Sequence, residues 1–391
     1  MRLDYRWQVL AFALVMQILV IGVGVYCFTF FVVHWVEEFQ VPRGELMLGY
    51  MGMTLMAGLL APFSGILIDR FQRRWVITAG VLAYTLGLLA VVAAPTAIAI
   101  ILIFWVLMPL GMGLAGPLMA QTLVAQAFDS KRGMALGICA LGTSLGGLIM
   151  PVVATAMLAE MAWRPVLASL AVAISVVILP MAFLIVRARP AAAPQADSRP
   201  AIGTRALLGN RDIYLLGICY LIPGGLFVAV LQNLGLQAQD LGIPQQQAGL
   251  IVGGASLLMA GGKFISGSLA DRISHHGIYY TLLALAALGL LGVATADSFL
   301  PFAAGVLLLG ATAGGVSPLI GTTAAHRFGI ANFARAMGII MGFGSLSGTM
   351  PFVAGWLRDF TGSYETAYLA ILPLALPAVI CFSRLKKAAE A

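Results

Sequence analysis

Twelve long, almost uninterrupted apolar runs divide this chain, at approximately 7–36, 46–68, 75–94, 97–126, 133–158, 164–186, 212–237, 245–269, 277–296, 299–325, 334–357 and 366–383. A helix that crosses a bilayer needs about 20 such residues. Membrane β-barrel strands would alternate with a period of two, whereas these runs are apolar throughout. Only helices can then satisfy the backbone in lipid. Composition agrees: 61% of the 391 residues are hydrophobic and 9% charged, against roughly 25% charged in soluble domains. The expected fold is an all-α integral membrane protein with twelve transmembrane helices and the lipid bilayer as its surroundings.

Arg2 and Arg6 precede the first run much as they would in a signal peptide. The run exceeds a cleavable core of about 7–15 residues, so it reads as a retained first span. Cys27, Cys139, Cys219 and Cys381 are scattered, with no metal or disulfide spacing. No cofactor or metal is expected.

Basic residues set the orientation, because they accumulate in cytoplasmic loops. Of the 22 Lys and Arg, only Arg43, Arg164 and Arg358 fall in loops on the far side, and Lys263 lies inside a span. The remainder lie on the side that carries both termini. A cytoplasmic membrane location with both termini inside follows. The net charge of +7 is thereby a matter of topology and does not call for a nucleic-acid partner.

The polar stretch from Arg187 to Arg211, with Ala-Ala-Ala-Pro-Gln-Ala-Asp-Ser-Arg-Pro inside it, reads as a linker. It separates a six-helix bundle at 1–187 from another at 212–391, with the linker itself at 188–211. The halves echo each other. Gly65-Ile-Leu-Ile-Asp69-Arg70 recurs 202 residues later as Gly267-Ser-Leu-Ala-Asp271-Arg272, and Met134-Ala-Leu-Gly-Ile138 recurs 201 residues later as Arg335-Ala-Met-Gly-Ile339. Two matches at one offset indicate a duplicated unit and a pseudo-two-fold axis.

On these residues the chain resembles the major facilitator superfamily. The family's loop signature stands here as Gly65, Asp69, Arg70, Arg73 and Arg74, with the basic pair shifted by one position, and its second copy as Gly267, Asp271 and Arg272. The resemblance implies two six-helix halves that rock about a central site, with Asp69, Arg70, Arg73, Arg74, Asp271 and Arg272 in contacts that lock one conformation. Positive-inside anchoring is the plainer role for the arginines. Arg132-Gly-Met-Ala-Leu-Gly137 before a glycine-rich span, Pro351-x-x-x-Gly355-x-x-x-Asp359-x-Thr-Gly362-Ser-Tyr364, and a basic residue four positions before Gly267 resemble the monocarboxylate and oxalate–formate branch. That branch usually has arginine at the last position. Lysine lacks arginine's bidentate fork.

The basic residue in question, Lys263, is the most informative in the chain. Eight residues before Asp271, it lies roughly 12 Å from the cytoplasmic helix end at 1.5 Å rise per residue. Its Cα–Cβ bond leans toward the helix N-terminus, and so toward the midplane. A cation at that depth costs several kcal/mol unless paired or hydrated. All 15 Asp and Glu lie at or beyond span ends. The partner is then either an anionic substrate or the water of a polar cavity.

Other polar groups fall near the same depth: Gln121, Ser144, Ser345, Ser347 and Gln17, with Tyr26 beside them and Asn233 and Gln232 nearer the outside. Each reads either as a substrate contact or as a helix–helix hydrogen bond. His34, at the outer interface, reads as a proton acceptor or as a solvated interfacial histidine.

The expectation is a secondary transporter of a small organic anion, a monocarboxylate, by proton symport or anion exchange, functional as a monomer. A proton-coupled exporter of drugs or amphipathic metabolites is the alternative, although such exporters often carry an acidic residue inside the membrane. The sequence contains no catalytic constellation, so no enzyme is expected.

Overall fold

A computed structural model describes residues 4–128, 132–186, 204–270 and 273–385. Among these, twelve helices are long and apolar enough to cross a membrane: span 1, Tyr5–Phe39; span 2, Arg43–Ile68; span 3, Arg73–Val92; span 4, Ala97–Ala127; span 5, Met134–Glu160; span 6, Trp163–Ile185; span 7, Arg211–Asp240; span 8, Gln245–Ala270; span 9, His275–Ala294; span 10, Phe299–Phe328; span 11, Arg335–Thr361; and span 12, Tyr364–Ser383. No described residue is in a strand. Each span matches its expected apolar run to within about one helical turn of 3.6 residues. A short helix, Thr204–Leu208, precedes span 7.

The spans are less regular than their hydropathy. Span 1 is a π-helix over Gly22–Tyr26 between Tyr5–Ile21 and Phe28–Phe39. Span 4 breaks at the extended Gly116, and Pro117 then opens Pro117–Ala127. Proline suits the first helical position, where its missing N–H is no loss. Span 11 contains a 3-10 turn at Leu346–Gly348, and span 12 another at Leu372–Leu374. Span 10 is continuous through Pro318, so the two halves break their helices at different places despite their sequence echo.

Aromatic packing fixes the far end of the first half, the end opposite the termini. Trp35 is buried among Phe28, Phe31, Phe104 and Trp163, with ring centroids 5.8–6.2 Å away. Trp163 in turn donates to Glu38 at 2.7 Å.

The halves meet along spans 2 and 11, 5 and 8, and 1 and 7. Their polar links concentrate toward the far end. Arg43 donates through both nitrogens to Asp240 at 2.6 Å, and the Gly44 N–H donates to Asp359 at 2.7 Å. Gln239 donates to Glu37 at 2.6 Å, Gln245 to the Phe30 carbonyl at 3.0 Å, and the Gly235 N–H to Thr29 at 2.8 Å. Backbones touch here: a Cβ on Gly44 would stand 2.8 Å from the Trp356 nitrogen. Toward the terminal face the same spans separate. A Cβ on Gly65, Gly137, Gly338 or Gly342 would meet open space. The halves are therefore closed at the far end and parted at the end that carries the termini.

Candidate substrate-binding site

A cavity of about 290 Å³ lies on the seam between the halves. The second half supplies most of its wall, from spans 7, 8, 10 and 11. The first half contributes Val25 and Tyr26, which the π-helical turn of span 1 presents inward. Such turns often mark functional positions. The lining is apolar apart from the hydroxyls of Tyr26, Tyr220, Ser317 and Ser347, and none of the lining residues is charged.

Lys263 stands one helical turn beyond the cavity-lining Met259 on span 8, toward the terminal face. Met259 is also where the halves touch, its sulfur 3.9 Å from the Tyr26 hydroxyl. Lys263 is half-buried. Its Nζ donates to Ser144 Oγ at 3.0 Å and to Thr143 Oγ1 at 3.4 Å. Both acceptors are neutral, and both belong to span 5 of the opposite half. Among the described residues no carboxylate lies within ion-pair distance of this ammonium. The arrangement is a cation bridging the halves through two hydroxyls, with charge left over for an anion.

The other expected site residues divide. Tyr26 and Ser347 line the cavity, and Ser144 reaches Lys263. Gln121 is exposed on span 4. Ser345 is half-buried and donates to the Gly342 carbonyl at 2.7 Å. Gln17 is wholly buried, donating to the Cys139 carbonyl at 2.7 Å, with no described hydrogen-bond partner for its own Oε1. Asn233 donates to the carbonyls of Ala229 and Pro351 and accepts from Tyr364, tying spans 7, 11 and 12 together. Gln232 donates to the Val25 carbonyl at 3.1 Å. His34 lines a separate recess of about 200 Å³ at the far end, beside Glu37 and Gln239.

Those expected gating residues that the structure describes lie at the terminal face. Arg70 is exposed, its guanidinium 5.9 Å from the Phe71 ring centroid, and Arg74 lies 5.7 Å from that of Trp75. Arg73 is half-buried at the start of span 3. Asp69 and Arg132 are helical, but their side chains lie outside the described residues, as do Asp271 and Arg272 altogether.

Several contributors escaped the sequence reading. Thr143 could have been found from its place beside Ser144. Tyr220 and Ser317 precede Pro223 and Pro318 by three residues and one, a modest signal for a helix face held open. The far-side arginines read only as loop residues, yet all three are paired: Arg43 and Arg358 with Asp240, and Arg164 with Glu38. A contact between residues 197 apart has no local signature.

Comparison with known proteins sets this geometry in a family. The model of the Major Facilitator Superfamily matches residues 14–236 and 215–391. Monocarboxylate transporter 14 of Mus musculus is 33% identical over 135 residues, 34% of this chain and 26% of that protein. The multidrug resistance protein B homolog of Mycobacterium tuberculosis is 31% identical over 152 residues, 39% of this chain and 27% of that protein. The chain thus spans about a quarter of the length of either relative. The crystal structure of the nucleoside transporter NupG superposes with a TM-score of 0.83 at 13% identity, covering 98% of this chain and 100% of that one, which is a likeness of fold. The repeated Gly-x-x-x-Asp-Arg signature, the twelve spans and a family match over nearly the whole length lead to one assignment: this chain belongs to the Major Facilitator Superfamily.

Proposed function

We propose that this transporter moves a small organic anion, a monocarboxylate, by alternating access of its two halves. One observation carries the reading: the half-buried Lys263 ammonium faces only the Thr143 and Ser144 hydroxyls among the described residues. An unpaired cation inside a membrane is costly, and a carboxylate arriving there removes the cost. Because Lys263 and its two acceptors sit on opposite halves, the anion would bind where the halves hinge. The partial likeness to monocarboxylate transporter 14 supports the same class.

In this reading both termini are cytoplasmic, so the parted face opens inward and the far-end contacts seal the outside. Asp69, Arg70, Arg73, Arg74, Arg132, Asp271 and Arg272 then serve the closure of the cytoplasmic face in the opposite state. Proton symport and anion exchange both fit, with His34 as a proton acceptor in the outer recess for the former. One chain contains the whole site, so a monomer suffices.

The test is Lys263→Gln in proteoliposomes. Uptake of a labelled carboxylate should fall to the level of protein-free vesicles, and Lys263→Arg should retain part of it. Normal uptake by Lys263→Gln would refute the reading. Stimulation by an imposed inward proton gradient marks symport, and stimulation by internal anion marks exchange. Export of drugs or amphipathic metabolites is the second reading, favoured by the uncharged, largely apolar cavity and the multidrug-resistance relative. It predicts that hydrophobic cations bind as well as carboxylates do.

A further inference from the structure

We infer that the anion carried at Lys263 has an apolar body of aryl or branched-alkyl size, so that the substrate class is a hydrophobic monocarboxylate and not a short polar acid. The inference rests on the anion reading above and adds to it the use of the cavity. Lys263, which with Thr143 and Ser144 would hold the carboxylate, lies one turn along span 8 from Met259, and Met259 lines the cavity. Whatever is attached to the carboxylate must extend past that sulfur into the cavity or remain in the parted space below.

Volume and chemistry both favour occupation. A sealed apolar cavity of about 150 Å³ accommodates benzene, and this one measures about 290 Å³. A body of phenyl to indolyl size therefore fits with room for one small polar substituent. The walls offer Phe227, Met341 and Val316 for dispersion contact, with the Tyr220 and Ser317 hydroxyls as the polar groups such a substituent would meet. With no charged group in the lining, a second carboxylate placed there would be buried without a counter-ion. Dicarboxylates are accordingly poor candidates. Acetate or lactate would satisfy the ammonium and leave the cavity unused.

Gly224 makes this testable. It lines the cavity, and a Cβ built on it meets nothing within 4 Å. Gly224→Leu therefore places a side chain in the empty volume without a backbone collision. The experiment is calorimetric titration of the full chain in detergent with phenylacetate, acetate and benzylammonium. Burying a phenyl ring is worth roughly tenfold or more in affinity. Phenylacetate should accordingly bind at least about tenfold more tightly than acetate, and Gly224→Leu should erase most of that difference while leaving acetate within about twofold. Gel filtration of the variant confirms that it is folded. Acetate binding as tightly as phenylacetate, or Gly224→Leu binding phenylacetate like the parent, overturns the inference and leaves the anion reading standing. Benzylammonium binding as tightly as phenylacetate overturns the anion reading, and with it the substrate class proposed here.

Discussion

Replacing Asp240 by asparagine should loosen the far-end seal by a measurable amount. Arg43 of span 2 donates to both oxygens of Asp240 on span 7 at 2.6 Å, and Arg358 approaches the second oxygen at 3.3 Å. Only the first of these contacts joins the two halves, while the second holds the carboxylate in position. The Arg43 side chain is 13% exposed and that of Asp240 35%, so the pair lies between two reference cases. Exposed pairs contribute about 0–1 kcal/mol, and hydrogen bonds to charged groups about 1.5–3 kcal/mol. The asparagine keeps one acceptor oxygen and loses the charge. A bias of about 1–2 kcal/mol should be lost, equivalent to a factor of roughly 5–30 in the population ratio.

The readout is the distance between spin labels on Ala93 and Thr295, exposed residues at the far ends of spans 3 and 9, in a background with the four cysteines replaced. The parent should give a short, narrow distribution. Asp240→Asn should add a longer component whose weight rises by that factor, and Arg43→Gln should reproduce it. High salt should shift the parent the same way, because partly exposed pairs are screened. A distribution unchanged in both variants would refute the assignment of the seal to this ion pair.

Three further outcomes are expected. Thr143→Ala and Ser144→Ala should each weaken carboxylate binding by about tenfold or more, since each removes one hydrogen bond to a charged group worth about 1.5–3 kcal/mol; titration of the double variant should show non-additivity, because both bonds serve one ammonium. Gly44→Leu puts a Cβ 2.8 Å from the Trp356 backbone nitrogen, so it should prevent far-end closure, seen as a lengthened Ala93–Thr295 distance with uptake abolished. Gly24→Ala would overlap the Tyr84 hydroxyl and displace it from the Val20 carbonyl, which it reaches at 2.7 Å. A buried hydroxyl left without its acceptor costs about 1–3 kcal/mol, so the melting temperature in detergent should fall, while an unchanged value would show that the π-helical turn tolerates the shift.

Lys263 and Asp240 show where the sequence stops. The depth of Lys263, and the absence of acidic residues at that depth, follow from counting along one helix, because rise per residue is fixed. That Ser144 lies 3.0 Å from it depends on how spans 5 and 8 cross, which no count along either span contains. Gln17, near mid-depth, and Asn233, nearer the outside, both read as candidate substrate contacts. Packing turned Asn233 into a three-way tie between helices and buried Gln17 against Cys139.

By itself the sequence determined the membrane, the number of spans, the duplication, the family and the one cation at depth. These follow from local quantities: apolar length against bilayer thickness, the positions of charges, and a repeated signature. Tertiary structure alone decided that the halves close at the far end and part at the terminal face, that a π-helical turn aims Tyr26 into a cavity, and that Met259, one turn from Lys263, lines that cavity. Those features arise where non-consecutive helices meet. There, side-chain size and a few cross-half hydrogen bonds select one packing among many that the same apolar runs would allow.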